Sequence, residues 1–120
     1  MRRLLVIGLV LFSSHAYAGD PWDRTDKVLG VGAATMLMID WGQTRYIAKH
    51  PERYTETNRI LGEHPSVGSV NNYFLAVGIG SYFLANALPS EYRKAMLAGA
   101  IAVDIYYTKR NRGLGIKVEF

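Results

Sequence analysis

The chain has 120 residues, of which 49% are hydrophobic and 20% charged, with 12 glycines, no cysteine and a formal net charge of +4. That length holds one domain, and the lack of cysteine excludes disulfides, zinc–thiolate sites and thiol catalysis. The basic residues flank apolar stretches instead of forming one stripe, which fits a membrane protein better than a nucleic-acid surface; a mean hydropathy near zero keeps a soluble helical bundle open as the alternative.

Residues 1–18 read as a secretory signal peptide. Arg2 and Arg3 provide the positive start, Leu4 to Phe12 the apolar run, and Ala16-Tyr17-Ala18 the small-x-small pattern that precedes cleavage. The run is shorter than the ~20 residues that cross a bilayer. Cleavage would start the mature chain at Gly19 and place its N-terminus in the periplasm; an uncleaved signal anchor is the alternative.

Asp20-Pro21-Trp22-Asp23 then forms a turn, and a first helix is expected over about 26–48. His50-Pro51 stops it, because the residue before proline is pushed out of the α region. Pro51 also suits the first turn of a short interfacial helix reaching Leu61-Gly62, which Glu63-His64-Pro65 breaks. Ser66 is the N-cap of a second helix over 67–88, ended by Pro89. Ser90 caps a third over 91–109, and Gly113 and Gly115 end regular structure. The fold class expected is therefore all-α: a signal peptide, then residues 19–120 as one three-helix transmembrane bundle.

Small residues recur four apart at Gly30/Ala34, Ala76/Gly80, Ala95/Gly99 and Ala98/Ala102, a spacing that lets helices approach closely in lipid. Tyr46, Tyr54, Tyr73, Tyr92, Tyr106 and Tyr107 lie near helix ends, where an aromatic belt would sit. Arg45, Lys49, Arg53 and Arg59 in the first connection and at its edge and Lys109, Arg110, Arg112 and Lys117 in the tail face Arg24, Lys27, Arg93 and Lys94 on the other side, eight against four. The positive-inside rule then puts the connection and the C-terminus in the cytoplasm, with the inner membrane as the location. The tail Gly115–Phe120 alternates like the closing strand of an outer-membrane barrel, but the body of the chain has helical spacing and lacks the other strands such a barrel needs.

Asp40-Trp41-Gly42-Gln43-Thr44, followed by Glu56-x-Asn58 and Leu61-Gly62, resembles small multi-span membrane proteins of bacteria and their phages. Those carry Asp-x-x-(x)-Thr late in one span and Glu-x-Asn-Pro in the next connection; Arg59 stands here where the proline would be. The resemblance covers the segment 40–62 and implies a membrane location, with no activity or substrate attached.

Chemical motifs are sparse. His50 and His64, with Glu52, Glu56 and Glu63, share the first connection but have no metal-ligand spacing. No serine has a Gly-x-Ser-x-Gly setting, and Gly78-Ile79-Gly80 has no phosphate-loop continuation. The chain is read as a non-enzyme without cofactor or metal. Two acids stand out: Asp40 and Asp104 lie in apolar helices, where a charge costs ~2.5–3.5 kcal/mol on insertion scales.

At 1.5 Å per residue, Asp40 counted from Lys27 and Asp104 counted from Tyr92 both fall roughly 18–20 Å along their helices. One polar layer is therefore expected from Asp40, Gln43, Thr44, Asn72, Asp104 and Thr108, in which close acids would tend to share a proton. The function expected is a small integral membrane protein acting through protein–protein contact in the cell envelope, as an accessory subunit or a phage-type factor. An oligomeric pore or transporter component and a soluble periplasmic helical protein are the alternatives. The partners expected are the lipid bilayer, an unidentified membrane protein and, as a further option, copies of the chain; nucleic acid is not among them.

Overall fold

The computed structural model describes residues 19–120, so the signal peptide expected over 1–18 lies outside the described residues. Three helices follow one another: α1 Arg24–Lys49, α2 Val67–Ala87 and α3 Ser90–Gly113. The fold is all-α, and no strand occurs among the described residues.

Helix ends follow local chemistry. Asp23 and Asp26 form a capping box at the start of α1, each side chain accepting the other's backbone N–H at 2.8 and 3.1 Å. His50 ends α1 ahead of Pro51, and Ser66 caps α2 by accepting from the amide of Ser69. Ser90 does not cap α3 as expected but is its first residue: Pro89 holds the cap position without a side-chain bond, Asp20 Oδ2 accepts from the Ser90 amide, and the helix runs four residues further than expected, to Gly113.

The short interfacial helix expected in the first connection is absent: residues 50–66 are turns and extended chain. Side chains there take the backbone amides that a helix would need. Glu56 Oε1 accepts from the amide of Asn58, and Asn58 Oδ1 from that of Ile60. The Glu56 amide in turn reaches across to the carbonyl of Glu63 and closes the loop.

α1 is the central element. It packs along both other helices, whereas α2 and α3 touch each other little. The stripe facing inward on α3 is Arg93, Leu97, Ile101, Asp104, Thr108 and Asn111, steps of three and four residues. On α2 it is Val70, Asn71, Phe74, Gly78, Ser81 and Ala85. Close approach uses Gly32, where a Cβ would stand 3.2 Å from Ile101, and Gly78, where it would stand 3.4 Å from Leu37. The four-apart small residues do not carry this packing: Ala34, Ala76, Ala95, Ala98 and Ala102 are exposed.

The assembly is a slab of 48 × 36 × 19 Å with little interior. Its buried apolar side chains are Tyr46, Ile47, Val70, Phe74, Ala85, Leu97 and Ile116, while Val28, Val31, Ile79, Tyr82, Phe83, Val103 and Tyr106 are each more than half exposed. Among the described residues no helix is long and apolar enough to cross a membrane.

Candidate functional site

α1, α2, α3, the loop over residues 53–58 and the start of the tail enclose a cavity of about 520 Å³. α1 contributes Asp40 and Thr44, α2 Tyr73 and Phe74, and α3 Asp104, Tyr107 and Arg110. Loop residues Arg53, Tyr54, Glu56 and Asn58 line it as well. α2 and α3 make little contact with each other, and the space between them is lined by the turn-rich connection.

The cavity gathers three acids. Asp104 and Glu56 lie close enough for their charges to act on Asp40. Thr44 Oγ1 donates to the Asp40 carbonyl at 2.8 Å and approaches its carboxylate at 3.5 Å. Among the described residues none of the three acids has a salt-bridge partner. Glu56 Oε2 is shielded from solvent without a hydrogen bond.

Beside the cavity, buried Gln43 joins α1 to α3. Its Nε2 donates to the Thr108 carbonyl at 3.0 Å, and its Oε1 accepts from Asn111 Nδ2 at 3.2 Å. Five of the six residues expected in one polar layer therefore come together: Asp40, Gln43, Thr44, Asp104 and Thr108. Asn72 does not join them. It is exposed, one residue and 100° of helix rotation away from the inward stripe, where Asn71 stands outside the layer. Asn71 Oδ1 accepts from Trp41 Nε1 at 2.9 Å and from Arg45 Nη1 at 2.6 Å. Trp41 stacks on Phe74, with centroids 5.9 Å apart.

The tail completes this end of the bundle. Ile116 packs against Tyr46 and Ile47, with Tyr54 beside them. The Glu119 amide donates to the Gly42 carbonyl at 3.1 Å, and Glu119 pairs with Lys49. The helix face offers little room for a side chain at position 42, since a Cβ there would overlap the Val118 side chain and lie 2.9 Å from the Phe120 ring. The alternation of the tail thus marks an extended segment packed on α1. Nothing in the sequence linked Trp41 or Arg45 to Asn71, whereas the three-and-four spacing through Asp104 and Thr108 could have pointed to Asn111.

The opposite end holds an ionic clamp. Arg93 is fully buried and pairs with buried Asp26 at 3.0 Å. Its other donors reach the carbonyls of Ala85, Asp20 and Leu88 at 2.7, 2.6 and 3.1 Å. Trp22 covers the guanidinium at 4.9 Å. Lys94 bridges Asp23 and Asp26, both at 2.8 Å. The hydrogen bond from Lys94 leads in holding the Asp26 carboxyl down, to about 2, against the opposing effect of burial. Asp23 is held low by the same ammonium, and Lys94 is raised in return, chiefly by Asp23. With every partner a protein group, this cluster fastens the segment before α1 to the α2–α3 connection.

Among the described residues no group of three His, Asp or Glu residues is arranged to hold a metal. His50 instead places Nδ1 2.8 Å from the Tyr46 carbonyl, at the end of α1. No protein-family model, curated protein or solved structure matches the chain.

Proposed function

We propose that the chain is a small membrane-embedded protein of the cell envelope that works by contact with another protein rather than by catalysis. One observation carries the reading: apolar side chains point outward along all three helices, more of them than the thin slab buries. α2 has no charged residue from Val67 to Ala87, and Leu75, Ile79, Tyr82, Phe83 and Leu84 stand on its outer surface. Contiguous apolar surface of this extent is normally covered by lipid or by a partner.

The modest hydropathy of the individual helices has a local cause. Polar residues such as Asn71 and Asn86 lower the average of α2 but are bonded within the fold, to Trp41 and Arg45 and to Trp22. An assembled bundle can hide groups that would hinder a lone helix. The resemblance of the segment 40–62 to small multi-span membrane proteins supports the same location, as does the distribution of Lys and Arg, which favours a cytoplasmic first connection and C-terminus.

Alkaline extraction of membranes tests the reading. The protein is expected to stay with the pellet. Quantitative release would replace it with that of a periplasmic helical bundle. A second reading, a component of an oligomeric pore or transporter, is favoured by the cavity with its three unpaired acids. Ion or solute leakage from liposomes reconstituted with the protein, lost on Asp40→Leu, would select it over the contact reading.

A further inference from the structure

The cavity between the three helices is lined by charged side chains of both signs, and no two of them pair. Asp40, Glu56 and Asp104 are acids, Arg53 and Arg110 are bases, and among the described residues none of them takes part in an ion pair. The acids are half-buried and the arginines exposed, so the negative groups are the more shielded. Arg53 lies over the Tyr54 ring at 5.8 Å, on an aromatic face and not on an acid. Glu56 Oε1 accepts from the Asn58 amide, and its second oxygen is shielded from solvent without a hydrogen bond.

Elsewhere in the molecule opposite charges that come together are joined directly. Arg93 and Lys94 reach Asp26 at 3.0 and 2.8 Å, and Lys49 reaches Glu119 at 3.1 Å. Around the cavity a space of about 520 Å³ stands between them, within the ~300–1,000 Å³ range of cavities that take small organic molecules. A shielded carboxylate oxygen without a donor is costly, and acids around one space repel each other.

We propose that this cavity binds a small amino acid-like zwitterion, its ammonium group among Asp40, Glu56 and Asp104 and its carboxylate at Arg53 and Arg110. The ammonium brings three donors to the acids, the shielded Glu56 oxygen included. The guanidinium groups suit an oxyanion. The acids outnumber the arginines, so the second negative charge of a phosphate would add to an excess already present, and a carboxylate is the better match. Tyr73 and Phe74 on α2 and Val103 and Tyr107 on α3 give the carbon chain between the two charged ends an apolar cover. Ligand binding in this cavity goes beyond the contact function proposed above and does not rest on it.

Titration calorimetry of the purified full chain tests the proposal, with glycine, β-alanine, γ-aminobutanoate and δ-aminopentanoate as probes. One length is expected to bind most tightly, because the span from the acids to the arginines is fixed by the fold. That probe is expected to bind about tenfold or more tightly than the plain amine or the plain carboxylate of the same length, each of which lacks one charge-assisted interaction. Asp104→Asn and Arg110→Gln alter side chains that are in no ion pair, and circular dichroism checks that helix content is kept. Asp104→Asn is expected to weaken the amino acid and the amine together. Arg110→Gln is expected to weaken the amino acid and the carboxylate while leaving the amine unchanged. The absence of saturable binding across the series would overturn the proposal. So would an amine or carboxylate that binds as tightly as the amino acid, or an equal loss for all three ligands in both variants. These readouts do not depend on whether the protein lies in a membrane, so release from membranes on alkaline extraction would leave them intact.

Discussion

Gln43→Met separates the hydrogen bonds of the α1–α3 junction from its packing. Methionine nearly fills the volume of glutamine but cannot donate to Thr108 or accept from Asn111. The Thr108 carbonyl lies inside α3 and keeps its helical bond, and Asn111 is partly exposed, so water can replace its lost acceptor. Neither group is stranded. The cost is then the net worth of two hydrogen bonds at ~0.5–1.5 kcal/mol each, or ~1–3 kcal/mol in total. For a domain of this size ~1 kcal/mol moves the melting temperature by roughly 4–8 °C. Gln43→Ala adds an unfilled space and should cost more, about 2–5 kcal/mol by analogy with buried long side chains. Asn111→Ala removes one bond of the pair, and its effect should not add to that of Gln43→Ala, because the two share a contact. Thermal unfolding followed by circular dichroism at fixed detergent measures the parent, the three single variants and the Gln43→Ala/Asn111→Ala double variant. A Gln43→Met protein melting within about 2 °C of the parent would refute the view that these bonds hold α3 on α1.

At Gly42, alanine should push the tail off α1, because Val118 and Phe120 occupy the position of the added methyl. Carboxypeptidase should then remove the last residues faster with helix content unchanged, at a cost of about 1–3 kcal/mol; an unaltered digestion rate would contradict this packing. Acid should loosen the opposite end. Asp26 is lowered from 3.8 to about 2 by Lys94 and its other partners, so its contribution is complete above 3.8 and disappears as pH falls from there toward 2. Lys94 is raised above 10.5 by Asp23 and Asp26, so its contribution is complete below 10.5 and is lost as pH climbs through the higher folded value. Melting temperatures across both windows should decline outward, and Lys94→Met should flatten the alkaline limb; identical limbs in the two proteins would count against the bridge. Thr57→Cys, in a chain with no other cysteine, should resist an impermeant maleimide applied outside intact spheroplasts. Prompt labelling would invert the orientation drawn from the Lys/Arg distribution.

Much of the helical frame was legible because its signals are local. Ser66 as a cap, Pro51 and Pro89 as breakers and the three-and-four spacing of apolar residues act within a few positions of each other, and α1, α2 and α3 follow them closely. The shared depth of Asp40 and Asp104 was legible too, since a fixed rise per residue converts sequence distance into position along an axis. The first connection was misread. Pro51 permits a helical start, but Glu56 and Asn58 bond the backbone in another way, and neighbouring side chains compete with a helix without announcing it.

The sequence alone determined three helices, the breaks at Pro51 and Pro89 that separate them and the nearness of Asp40 and Asp104 along their axes. Only the tertiary structure decided which side of each helix faces inward. That choice placed Asn71 inside and Asn72 outside, because one residue rotates a side chain by 100° and only the neighbouring helix distinguishes the two directions. It also decided what fills the gaps. Arg93 and Asp26 are 67 residues apart, and Glu119 reaches Lys49 across 70. Pairings over such separations exist only once α1 has both other helices against it, since no local preference brings those charges together.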